Sequence, residues 1–181
     1  MKSMLFLMVA AATSFLSLAC MNRSNTANAA PTPLDQKLSD ELSLSDTSLT
    51  KVTKTDAEWR ALLTADQYFI LREQGTEPSF NNAYWNNHEA GHYFCAGCHL
   101  PLFSSATKFE SGTGWPSFFA PISMSRVKTV VDNSHGMVRG ETVCARCEGH
   151  LGHVFDDGPK PTGLRYCMDS GALLFKKSGK K

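Results

Sequence analysis

Six cysteines stand in the chain, and five of them fall into a pattern that does chemistry. Cys95-Ala96-Gly97-Cys98 and Cys144-Ala145-Arg146-Cys147 are two CxxC pairs with 45 residues between them. Two such pairs meeting in space supply four thiolates, the closed tetrahedral set of a structural zinc ion. The long intervening segment makes such a site a staple between distant parts of the chain, not a compact ribbon. Two disulfides are the competing reading in an exported chain. A thioredoxin-type redox pair needs a strand–CxxC–helix context that neither pair has. Cys167 is the cysteine left over. In Leu164-Arg165-Tyr166-Cys167-Met168-Asp169, residues two apart share a face if the segment is a strand. Arg165 beside Cys167 favours the thiolate, the nucleophilic form. Asp169 opposes it unless Asp169 pairs with Arg165. A buried structural cysteine is the plain alternative.

His88-Glu89-Ala90-Gly91-His92 fits the HExxH zinc-protease pattern, which needs a helix to aim both imidazoles one way. Asn86-Asn87 before it, Gly91 within it and a β-type run after it argue against that helix. His88 and His92 are read as turn and strand-surface residues.

The elements that must position these groups are short. Thr55-Asp56-Ala57-Glu58 and Thr64-Ala65-Asp66-Gln67 are capping boxes that start two helices, the second stopped at Gly75. Beyond Gly75, β-type runs occupy 92–94, 127–131, 137–143, 153–155, 164–168 and 173–177, separated by turn residues. The expected fold is mainly β (α+β): two N-terminal helices packed on antiparallel β-sheets, stapled by a four-cysteine zinc site, over residues 54–178. Residues 179–181 close a Lys-rich solvated tail.

Residues 1–29 read as a signal peptide. Lys2 is the positive start, Met4 to Ala19 is an uncharged run of 16 residues, and Ala27-Asn28-Ala29 is a small-residue cleavage site. Ala19-Cys20 also resembles a lipoprotein cleavage site, with an imperfect lipobox because of Ser17. Soluble export, lipid anchoring through Cys20 and a retained membrane anchor all stay open. Residues 30–53 read as a linker or tether, with Leu38, Leu42, Leu44 and Leu49 able to form a short docked helix. The full chain of 181 residues carries 18 Lys and Arg against 17 Asp and Glu, a charge of +1. Without residues 1–29, Lys2 and Arg23 go and the charge becomes −1. Neither value fits a nucleic-acid-binding face.

Longer blocks carry a resemblance. Gly149-His150-Leu151-Gly152-His153-Val154-Phe155, then Asp157-Gly158-Pro159 and Thr162-Gly163-Leu164-Arg165-Tyr166-Cys167, are similar to the methionine sulfoxide reductase B family. Ser111-Gly112-Thr113-Gly114-Trp115-Pro116-Ser117-Phe118, Arg72-Glu73-Gln74-Gly75-Thr76-Glu77-Pro78 and the two CxxC pairs extend it from about residue 56 to 175. The resemblance implies reduction of the R epimer of methionine sulfoxide, a repair of oxidative damage to proteins. It implies Cys167 as the nucleophile that becomes a sulfenic acid, with Arg165 keeping it ionised. His150 and His153 are the candidate donors to the sulfoxide oxygen, Trp115 the wall for the S-methyl group, and Zn²⁺ on Cys95, Cys98, Cys144 and Cys147 a structural cofactor. The implied partners are oxidised-methionine proteins as substrate and an external thiol reductant, thioredoxin-like or small. Two residues depart from the family: Thr113 stands where many members have a resolving cysteine, and Asp169 where Asn is usual. The rival function is a non-catalytic zinc-binding β-module that binds a protein or small ligand.

Overall fold

A computed structural model describes residues 42–179. The expected signal peptide, Cys20, residues 30–41 and the last two lysines lie outside the described residues.

Two helices open the domain, α1 (Asp56–Leu62) and α2 (Ala65–Glu73). Both capping boxes form: Thr55 and Thr64 accept from the backbone N–H of Glu58 and Gln67, whose side chains reach back to the cap N–H groups. Four of the orphan donors at the two helix starts are thereby satisfied. The stop of α2 differs from expectation by one residue. Gln74, not Gly75, takes the left-handed conformation at φ 55°. Gly75 leaves room for the exposed Phe69 ring, which would have to shift from a Cβ at 2.2 Å.

Nine strands follow among the described residues: β1 (Gly91–Cys95), β2 (Pro101–Ser104), β3 (Lys108–Phe109), β4 (Ser117–Phe118), β5 (Val127–Asp132), β6 (Arg139–Cys144), β7 (His150–Phe155), β8 (Arg165–Met168) and β9 (Leu173–Lys177). They form two antiparallel sheets, ordered β2-β1-β9 and β3-β4-β8-β7-β6-β5. The six runs read from sequence correspond to β1 and β5–β9, while β2, β3 and β4 went unread. Aromatic side chains join the sheets. Phe103 of β2 stacks on Phe118 of β4 at 4.5 Å, and Tyr93 of β1 meets the same ring edge-on at 5.0 Å. All three are fully buried. Trp59, Ile70 and Leu71 bring the helices into this core.

The four CxxC sulfurs converge, all within 4.8 Å of one another. Cys95–Cys147 and Cys98–Cys144 stand 3.6 and 3.5 Å apart, far beyond the ~2.05 Å of a disulfide and close to the edge of a tetrahedron with ~2.3 Å metal–sulfur bonds. The two turns are built alike. Cys95 N–H donates to Leu100 and His99 N–H to Cys95; Cys144 N–H donates to Gly149 and Glu148 N–H to Cys144. His99 and Glu148 take matching φ values of 61° and 59°. The four-cysteine site thus ties the end of β1 to the end of β6, one strand from each sheet.

Residues 42–53, which the sequence placed in the linker, form no helix and run along the second of these turns. Arg146 donates to Asp46 at 2.6 Å and to the Ser48 carbonyl, and also to the carbonyl of Cys98. Val52 N–H donates to the Arg146 carbonyl, Lys51 to Glu148, and Leu42 is buried.

β7 carries an extra residue. His150 pairs with Val143 and Gly152 with Thr142, so one residue bulges between them. Gly152 has φ +140°, and a Cβ there would stand 2.1 Å from the carbonyl oxygen of Cys167. The atoms that Cβ would meet, in Cys167 and Met168, all belong to backbone, so none can swing aside. Gly152→Ala is expected to lower stability by about 3 kcal/mol or more. Thermal melting checks this, and a variant melting within a degree or so of the parent would refute the assigned bulge.

Candidate active site

Cys167 lies in β8, flanked by Ser117 of β4 and His153 of β7. Its partly buried sulfur borders a cavity of about 480 Å³. Gln74, Gly75 and Thr76 come to it from the end of α2, and Trp115 from the loop before β4. β7 contributes His150 and His153, the β5–β6 connection His135 and Met137, and the start of β6 Arg139. A regular strand cannot turn residues three apart to one face. The bulge in β7 resets the alternation, so both histidines line the cavity.

Burial pushes the Cys167 thiol above its ordinary range; the Thr113 hydroxyl and the Arg165 guanidinium pull it down, and Asp169 pushes it up. Thr113 Oγ1 lies 3.8 Å from the sulfur. Arg165 therefore acts in the expected direction, but its cation does not outweigh burial. Its fork is held by Asp157, at 2.8 and 2.9 Å, and lies over the Phe155 ring at 4.3 Å. Arg165 does not pair with Asp169: Asp169 falls beyond the end of β8, so the strand alternation no longer places it on the Arg165 face.

Asp169 belongs to a different set. Its Oδ1 accepts from Thr76 at 2.8 Å and from the Glu77 N–H at 3.2 Å. Its Oδ2 faces His150 Nε2 at 3.7 Å, and His150 Nδ1 meets Glu141 Oε1 at 2.6 Å. Glu141, His150 and Asp169 are all buried. His153 is backed separately: its Nε2 lies 2.8 Å from Asp132, which also accepts from Arg139 at 2.7 Å. Hydrogen bonds from the Ser134 hydroxyl and N–H, then from His153, hold Asp132 well below the usual carboxylate range. Burial pulls His153 down, against Asp132. Trp115 is fixed by its indole N–H, which donates to the Glu77 carbonyl at 3.1 Å. Of the residues assigned to the thiol site from sequence, Cys167, His150, His153, Trp115 and Asp169 border the cavity, and Arg165 stands behind it, over the ring of Phe155, which borders it too. Asp132, Glu141, Asp157 and the Thr76–Glu77 backbone were not read from sequence. Their roles come from strand register and loop packing, though a buried acid inside β6 is a signal that correct strand pairing would have exposed.

The HExxH segment is not a metal site. Residues 88–90 have no helical backbone, His88 is exposed beside Glu110, and Glu89 pairs with Lys177. His92 lies on β1.

Comparison with known proteins agrees with this geometry. The model of the SelR domain matches residues 63–177. The peptide methionine sulfoxide reductase MsrB of Thiobacillus denitrificans is 59% identical over 122 residues, spanning 67% of this chain and 92% of that protein. Its namesakes in Agrobacterium fabrum and Leptospira interrogans are 55% and 54% identical over 133 and 127 residues, covering 98% and 97% of their lengths. A match of this depth, running from α2 through both cysteine turns and the Cys167 strand, makes the chain a member of the methionine sulfoxide reductase B family.

Proposed function

We propose that this enzyme reduces the R epimer of methionine sulfoxide in proteins to methionine, with Cys167 as nucleophile. The observation that carries the reading is the placement of one non-tetrad thiol in a cavity that offers an indole on one side and carboxylate-backed imidazoles on the other. A sulfoxide has matching parts: an electrophilic sulfur, an oxygen that accepts hydrogen bonds, and an apolar methyl. Cys167 Sγ attacks sulfur once ionised, Trp115 receives the methyl, and His150 and His153 orient the oxygen. Oxygen passes to Cys167 as a sulfenic acid and methionine leaves. No observation favours a non-catalytic binding module.

Swapping methyl and oxygen places an apolar group on the imidazoles and leaves the oxygen unpaired on the indole, at on the order of 1–3 kcal/mol. The R epimer of a protected methionine is expected to react at least tenfold faster than the S epimer, with Trp115→Ala narrowing the ratio. Equal rates with the two epimers would sink the assigned arrangement.

With Thr113 in place of a resolving cysteine and four cysteines in the tetrad, the sulfenic acid is reduced by an external thiol. One turnover without reductant is expected to yield one methionine per enzyme, a trappable sulfenic acid on Cys167 and no disulfide. Cys167→Ser should lose orders of magnitude in rate. Thr113 already approaches the sulfur within 3.8 Å, so Thr113→Cys should form a disulfide with Cys167 after one turnover. Loss of two thiols per turnover in the parent, counted by a thiol reagent, would show that a tetrad cysteine resolves Cys167.

The metal in the tetrad is zinc on this reading: four converging thiolates suit it, and a closed set leaves no position for substrate. It would supply folding free energy and no chemistry. Cys144→Ser is expected to lose stoichiometric zinc and to be unstable or insoluble; metal analysis that finds a stable, zinc-free parent would overturn this. Residues 1–29 support export, with substrates among exported proteins and Cys20 as the alternative lipid anchor. Pulse labelling of the full chain, followed by mass analysis of the new N-terminus, separates the two.

A further inference from the structure

The Glu141–His150–Asp169 row has a gap in it. Glu141 and His150 are in hydrogen-bond contact at 2.6 Å, but His150 Nε2 and Asp169 Oδ2 stand 3.7 Å apart, beyond direct hydrogen-bond reach. Asp169 Oδ1 is saturated by Thr76 and Glu77, so Oδ2 is the oxygen left to face His150. Both residues border the cavity beside Cys167. An oxygen atom set beside this pair on the cavity side, off the line joining them, comes within hydrogen-bond reach of Oδ2 and Nε2 at once. We propose that this gap seats the sulfoxide oxygen and that Asp169, as a carboxylic acid, gives it the proton needed for its transfer to Cys167. The inference rests on the sulfoxide-reductase reading and names the acid within it.

The step balances. Cys167 thiolate, sulfoxide and Asp169 acid become Cys167 sulfenic acid, thioether and Asp169 carboxylate. The sulfur–oxygen bond of the substrate breaks and one to Cys167 forms; substrate sulfur gains two electrons and Cys167 sulfur loses two. Solvent then returns the proton to Asp169.

The surroundings suit an acid. Glu77 after α2 and the Cys167 thiolate on β8 place negative charge near Asp169, against His150 and His153 on β7, while Glu141 on β6 holds the far nitrogen of His150. Arg165 pairs with Asp157 and Arg139 with Asp132, so neither donates to Asp169, although the buried Nε of Arg139 has no partner of its own. Burial pushes the Asp169 carboxyl up; Thr76, the Glu77 N–H and the two histidines pull the other way. A buried carboxyl short of cations keeps its proton to higher pH than an exposed one. Asn, usual in the family at this place, has an N–H to offer but no transferable acid proton.

The test is single-turnover methionine formation from the R sulfoxide of a protected methionine, from about pH 5 to 10, which isolates the step from thiol recycling. Each rate is divided by the Cys167 thiolate fraction, measured by the pH dependence of iodoacetamide alkylation of the same protein. The parent's normalised rate is expected to fall about tenfold per pH unit above the pKa of the acid. Asp169→Asn should be flat across that range and about tenfold or more slower at its acid end. His150→Gln should be slower yet keep the parent's slope, since it removes the orienting imidazole and not the acid. A slope that survives in Asp169→Asn, or vanishes in His150→Gln, would assign the proton to a histidine and overturn the proposal, as would a flat parent. The underlying reading fails separately, by turnover that survives Cys167→Ser.

Discussion

Four thiolates gathered within 4.8 Å of one another in a buried setting repel strongly unless a cation sits among them. That electrostatic demand governs the rest of the domain. It fixes the end of β1 against the end of β6, and so fixes one sheet against the other. β6 carries Glu141, β7 beside it carries both histidines, and β8 carries Cys167. An ångström of play between the sheets would be felt in the cavity, because Trp115 and the Thr76–Glu77 backbone are held to the same framework by single hydrogen bonds. Metal-free protein should therefore lose the cavity together with the fold, although a closed set of four sulfurs offers no position to a substrate.

Local chemistry was legible in the sequence wherever one short segment determined the outcome. The capping boxes of Thr55 and Thr64 need four residues each, and both formed. The tetrad was legible because CxxC spacing is a property of a turn. β3 and β4 were not, since two residues make no pattern and the strands exist only through their partners, Lys108 with Phe118 and Ser117 with Cys167. At the site, the Arg165–Cys167 adjacency followed from strand alternation. Asp169 did not, because the strand ends at Met168 and the chain turns toward the helices. Asp157 is eight residues from Arg165 across a turn, and nothing in that spacing announces a bidentate pair. The family blocks supplied what periodicity could not, namely that these scattered residues share one purpose.

The charged side chains of the site work mostly by holding one another. Asp157 steadies Arg165, Asp132 steadies His153 and Arg139, and Glu141 steadies His150. Each pairing removes a rotamer freedom that would otherwise be lost when substrate binds, so the cavity meets its ligand already arranged. Cys167, the proposed nucleophile, is the exception. Its sulfur is bordered by a hydroxyl and by buried surface that disfavours its charge.

The likeness of the two cysteine turns bears on the order of assembly. Each turn closes through hydrogen bonds spanning six residues or fewer, so each two-sulfur half-site is a local structure available to an otherwise unfolded chain. The loop between them is long, and closing it costs on the order of 4 kcal/mol in chain entropy. An ion held by one turn converts that closure from a search for strand partners into the arrival of two further ligands. That long closure is then made by coordination, and β2 to β6 lie within a loop that is already closed when β7, β8 and β9 pair from outside it.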